Sequence, residues 1–161
     1  MVNRILKTAL VFSAGVFTFI ITFNNLTDYA SNFAFVAHVL SMDDTFPGNE
    51  GMWRAITSKP FHHFFYWIII LSEGAVTVLC LLGSFRLWKN RKDPQAFAQA
   101  KSFASLGLGM GVLLWFLGFM AVGGEWFLMW QSETWNGLQS AFRIAALFGI
   151  ILIYLNQPEA S

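Results

Sequence analysis

The sequence predicts an all-α protein: an antiparallel four-helix transmembrane bundle with a helical, aromatic-rich periplasmic cap. Three observations carry that reading. Hydrophobic residues make up 56% of the 161 residues and charged ones only 12%, a membrane composition rather than a soluble one. Four stretches reach the roughly 20 apolar residues that cross a bilayer. The two longer connections at one end of those stretches are dense in aromatic and turn-forming residues instead of charge.

The first span covers residues 5–26. Its apolar run is too long for a secretory signal, and NNLTDY (Asn24–Tyr29) is no small-x-small cleavage site, so it is expected to stay on the protein. Loop 27–60 follows. ASNFAFVAHVLSM (Ala30–Met42) sets Phe33, Val36, Ala37 and Leu40 at helical spacing. That predicts an amphipathic helix lying at the interface or over the bundle mouth. DDTFPGNEG (Asp43–Gly51) ends it in turn residues, and MWRAITSKP makes a further short helix.

The second span, residues 61–83, holds Glu73 near the middle of an apolar run. A carboxylate there costs about 2.5–3.5 kcal/mol on insertion scales, so it must be protonated, paired or turned inward. His62, Tyr66, Glu73, Thr77 and Cys80 fall on one helical face. Asn25 belongs to the corresponding polar face of span one, and Arg143 lies within side-chain reach in span four. Glu73, Arg143, Tyr66, His62 and Asn25 are therefore expected to form a buried polar network. Its purpose stays open between fixing helix register and titrating or binding a ligand.

A basic turn near residues 86–101 leads into the third span, 103–123. Here SLGLGMG and Gly118 supply small residues for close helix approach; with no strand beside it, the glycine pattern is not a nucleotide fingerprint. Loop 124–137 packs Trp126, Trp130 and Trp135 among Glu125, Gln131, Ser132, Glu133 and Asn136. Those tryptophans suit a membrane-interface belt, a cap packed on the first loop, or a partner surface. The candidate cap or partner residues are Trp126, Trp130, Trp135, Glu125, Phe33 and His38. The fourth span covers residues 138–155. With two loops and a short turn outside the spans, one integral membrane domain accounts for 1–161.

Seven of the ten basic residues (Arg4, Lys7, Arg86, Lys89, Arg91, Lys92, Lys101) fall on one side of the spans. The positive-inside rule puts both termini in the cytoplasm. The lone Cys80 excludes an intramolecular disulfide.

NNLTDYASNFAFVAHVLSMDD, the RAI at Arg54–Ile56, the EG at Glu73–Gly74 and EWFLMWQSETWNGLQSAFR (Glu125–Arg143) together resemble a bacterial family of predicted small integral membrane proteins of unknown function. The resemblance runs along nearly the whole chain. It implies four spans in the inner membrane and brings no activity and no functional residues.

Three function classes remain. The leading one is a non-catalytic inner-membrane protein, an accessory or assembly subunit or a self-associating scaffold. The partners are the bilayer and another membrane protein or a second copy, with nothing pointing to nucleic acid. The alternative is a bundle handling quinone, metal or protons through the Glu73/His62/Tyr66 stripe, with Trp67 beside it. No cofactor is specified. The metal candidates, His38, His62 and Asp43, match no established ligand spacing. A channel or transporter is the third class, disfavoured by the absence of inverted repeats. No nucleophile–base arrangement supports catalysis.

Overall fold

The computed structural model describes residues 1–159, which form helices and turns without a strand. Four candidate spans cross the molecule: Val2–Thr27 (α1), Lys59–Asn90 (α3), the combined run Pro94–Trp126, and Leu138–Asn156. The combined run holds a short helix, Pro94–Gln99 (α4), then Ser102–Leu113 (α5), then a π-helical stretch, Leu114–Trp126. Leu138–Asn156 is α6, and Tyr29–Ser41 is α2. Antiparallel packing runs α1 against α3, α3 against α5, and α5 against α6.

Glycines set how closely these helices meet. A Cβ at Gly83 of α3 would stand 2.7 Å from the Ala104 Cα of α5. One at Gly107 would stand 2.9 Å from the Cys80 sulfur, and one at Gly111 would collide with the Phe148 ring of α6. These contacts tie α3, α5 and α6 together around a core that includes Val11, Val76, Cys80, Leu108 and Phe148. The gain is van der Waals packing, the main attraction between helices in lipid.

Packing loosens toward the other end. Beyond Leu113 the backbone widens to i→i+5 bonding, seen where Phe127 N–H donates to the Val122 carbonyl at 3.0 Å. Such winding is rare, and even single π turns gather at functional sites. The stretch parts from α3, and Phe65, Ile69, Leu114, Gly118, Phe35 and Val39 border an apolar cleft of about 210 Å³. Gly118 has no close neighbour beyond its own helix's Leu114, so it lines this opening instead of making a helix contact.

The second helix, expected at the interface or over the bundle mouth, lies over the outer end of α3. Asp28 (φ −119°, ψ 54°) interrupts the helix for one residue, and α2 then crosses the first turns of α3. Tyr29 packs on Tyr66 (centroids 4.7 Å apart), Phe33 stacks on His63 (4.1 Å), and the Ile56 N–H donates to the Leu40 carbonyl (2.8 Å). The physical reason is length: α3 has 32 residues, about 48 Å of helix, and its outer turns carry aromatics that α2 covers. The turn expected at 86–101 is also largely helical, since α3 continues to Asn90. Asp93 caps α4, its carboxylate accepting from the backbone N–H of Gln95 (2.8 Å) and Ala96 (3.3 Å).

Candidate functional site

From the middle of the bundle to the cap, the polar groups form three stacked clusters. The deepest centres on Glu73, buried on α3. The Asn25 side-chain amide, two residues before the end of α1, donates to Glu73 Oε2 at 2.6 Å. Tyr66 donates its hydroxyl to the Asn25 carbonyl (3.2 Å) and faces the Asn25 side-chain oxygen (3.3 Å). Thr77 turns its hydroxyl back to the Glu73 carbonyl at 2.9 Å, a local bond that lets a polar side chain sit in an apolar helix. The carboxylate is thus held by a neutral amide, with a phenol behind it.

Arg143 does not join this network. It is exposed on α6, and its guanidinium donates to Gln139 one turn earlier at 3.3 Å. Similar depth in the bundle is not enough, because α6 packs on α5, the π-helical stretch and α1, and Arg143 lies on its exposed face. It borders a shallow surface recess with Glu125, Phe116 and Phe142. Glu73 makes no ion pair among the described residues.

His62 is buried at the top of α3 but serves a different contact. Its Nε2 lies 2.6 Å from the Ile56 carbonyl and 3.5 Å from the Ser41 hydroxyl, so it clasps the end of the first loop to the end of α2. His63 faces the Tyr29 hydroxyl through Nδ1 at 2.8 Å and is sandwiched against Phe33. Burial pushes the Tyr29 phenol above its usual value.

The third cluster is the cap. His38 contacts Asp43 (2.9 Å) and stacks flat on Trp135 at 4.3 Å. Asp44 accepts from the Ser132 hydroxyl and from the Thr134 N–H (3.3 Å), and the Ser132 hydroxyl in turn receives the Trp135 N–H at 2.6 Å. The Phe46 N–H donates to Gln131 (3.0 Å), and Phe46 meets Trp130 edge-on. Arg54 spans the loops, donating to the Trp126 carbonyl (3.2 Å) and lying over both the Trp53 and Trp126 rings, themselves 5.7 Å apart. Two residues that sequence reasoning did not single out as site residues, Asp44 and Arg54, carry three of the four hydrogen bonds described between the loops. A loop acid three residues before a proline and an arginine following a tryptophan were the only signals available.

The metal candidates are spread apart: His38 and Asp43 pair on the cap surface, while His62 points to the Ile56 carbonyl. No group of three His, Cys, Asp or Glu among the described residues is placed to hold an ion. Glu125 is exposed, and Trp67 lies at the rim near Tyr29.

Neither the curated proteins nor the solved structures yield a match to this chain. A family model described as "Predicted small integral membrane protein (DUF2165)" covers residues 3–158. With four apolar helices and a match along nearly its entire length, the chain belongs to that family of small integral membrane proteins.

Proposed function

We propose that this protein is a single-domain, non-catalytic subunit of the bacterial inner membrane, with both termini cytoplasmic, that assembles with another membrane protein. The observation that supports the reading best is the Trp53–Arg54–Trp126 cluster. Trp53 is 74% exposed and Trp126 49% exposed, yet both are fixed by the guanidinium between them and by each other. Tryptophan and arginine dominate interface hot spots because they bury much area with few freedoms to lose. A rigid exposed cluster of that kind is already organised for a partner.

The test is site-specific photocrosslinking in cells, with the reactive residue at position 53 and a lipid-facing control at position 147. A discrete protein adduct at 53, absent at 147 and lost with Arg54→Ala, is expected. An adduct at twice the chain mass would assign the surface to self-association. Lipid adducts alone at both positions would overturn the reading in favour of a plain interfacial belt. A reporter fused after residue 161 checks orientation, since activity confined to the periplasm contradicts cytoplasmic termini.

One observation favours a second reading, a bundle that handles protons or a ligand. Glu73 sits deep in a span with a neutral amide as its side-chain partner, and intramembrane carboxylates mark functional pathways more often than not. Under that reading Glu73→Gln folds normally and abolishes activity in cells. Under the subunit reading the same variant is silent.

A further inference from the structure

Arg143 and Glu125 border one recess at the cap end of the bundle without pairing with each other. The recess, open and about 610 Å³ in volume, lies between the π-helical stretch and the first turns of α6. Phe116, Met120 and Phe142 line it together with three polar side chains, Glu125, Gln139 and Arg143. A Cβ at Gly124 would stand 2.6 Å from Leu138 Cδ2, so the end of the stretch seats directly on the start of α6 and carries Glu125, the next residue, to the same recess as Gln139. Arg143 follows Leu138, the first residue of α6, by five positions, which is about 7–8 Å along the helix axis. It is exposed, and Leu147 and Ile150, four and seven residues on and on the same face, are 59% and 62% exposed. That face is turned to lipid, where an uncompensated cation is costly.

The guanidinium donates to the Gln139 side-chain oxygen at 3.3 Å, a neutral acceptor. Among the described residues neither Arg143 nor Glu125 makes an ion pair. Opposite charges that border one recess and stand apart suit a ligand carrying both: an anion for Arg143 and a cation for Glu125. A membrane supplies such a ligand with hydrocarbon chains attached. We propose that the recess binds phosphatidylethanolamine from the leaflet on the cap side, its phosphate paired with Arg143, its ammonium with Glu125, and the upper part of an acyl chain against Phe116, Met120 and Phe142. Arginine matches phosphate with paired N–H donors. A primary ammonium brings three donors to the carboxylate, whereas the quaternary ammonium of phosphatidylcholine brings none. Phosphatidylglycerol satisfies Arg143 but sets no cation against Glu125. Free phosphoethanolamine carries both charges and has no use for the apolar wall.

The test uses the purified full-length protein in nanodiscs of equal parts phosphatidylethanolamine, phosphatidylglycerol and phosphatidylcholine. Retained lipid is read by native mass spectrometry, and the thermal midpoint checks folding. Preferential retention of phosphatidylethanolamine is expected, weakened about fivefold by Arg143→Gln and less by Arg143→Lys. Glu125→Gln should lower retention of phosphatidylethanolamine and raise that of phosphatidylglycerol, a gain that misfolding cannot produce. Ala121→Phe fills the recess while leaving both charges, and should expel the lipid. Equal retention of the three lipids by the wild type, or an unchanged preference in Glu125→Gln, overturns the proposal. So does free phosphoethanolamine, if it raises the thermal midpoint as much as the phospholipid does. A dimer mass without retained lipid, abolished by Arg143→Gln, would give the recess to a second copy and overturns it too.

Discussion

The Asn25 amide lies 2.6 Å from Glu73 Oε2 and joins the end of α1 to the middle of α3. The amide nitrogen satisfies the acid, while the amide oxygen and the Asn25 backbone carbonyl face Tyr66. Removing the middle member strands both neighbours. Asn25→Ala should destabilise the protein by about 1–3 kcal/mol, the cost of a buried polar group without its partner. Glu73→Gln keeps an acceptor for Asn25 and should shift stability by less than about 1 kcal/mol. Thermal unfolding in detergent compares the two; equal losses would mean that the bond does not hold the acid.

The glycines are not equivalent. Gly83→Leu places its Cβ against the Ala104 backbone, which cannot rotate away, and overpacking of that kind costs about 1–3 kcal/mol or more. Gly118→Ala meets only ordinary contact with Leu114 and gains helix propensity, so its stability should change by no more than about 1 kcal/mol. The same unfolding measurement separates them.

In the cap, Asp44→Ala removes the acceptor shared by the Ser132 hydroxyl and the Thr134 N–H. The loss should be local, on the order of 1 kcal/mol. Hydrogen exchange should quicken across residues 132–135 and stay unchanged in the core of α3. Faster exchange along α3 as well would show that the cap and bundle unfold as one unit.

Acid should act at the other end. Burial pushes the Glu159 carboxyl up, but hydrogen bonds and charge from Lys101 and Lys7 outweigh it, leaving it below its ordinary value of 4.5. A group with a lowered folded value stabilises the fold above that ordinary value. Its contribution is therefore complete above about pH 4.5 and drains away as pH falls through the folded value. Wild type and Glu159→Gln should differ in thermal midpoint at neutral pH and converge in strong acid. A gap that persists or widens in acid would refute this.

Much of the architecture was legible in the sequence because lipid imposes a blunt rule: a span must be long, apolar and helical. The four spans follow from it, and the helix at 30–42 from the helical spacing of Phe33, Val36, Ala37 and Leu40. What escaped depended on direction. Arg143 and Glu73 have compatible depths, but depth along a helix does not fix its rotation about the axis, so Arg143 stays outside the expected network while Asn25 and Tyr66 lie within it. For α2 two placements stayed open for a similar reason: its pattern shows one apolar side without saying whether lipid or α3 covers it. The widening beyond Leu113 has no signature in LWFLGFMAVGGEW (Leu114–Trp126) that distinguishes it from ordinary helix.

That widened stretch changes how the third span can be handled. Counting by sevens, or by threes and fours, holds up to Leu113 and then loses step, because the two parts of the rod are wound at different gauges. A chimera joined within 114–126, or a one-residue deletion made there to straighten the helix, would turn Trp126 about the axis like a screw backed off by part of a thread. Trp126 would then lose its place beside Arg54, although every residue of the cap remained. Transplants of this span should carry residues 114–126 as one uncut piece.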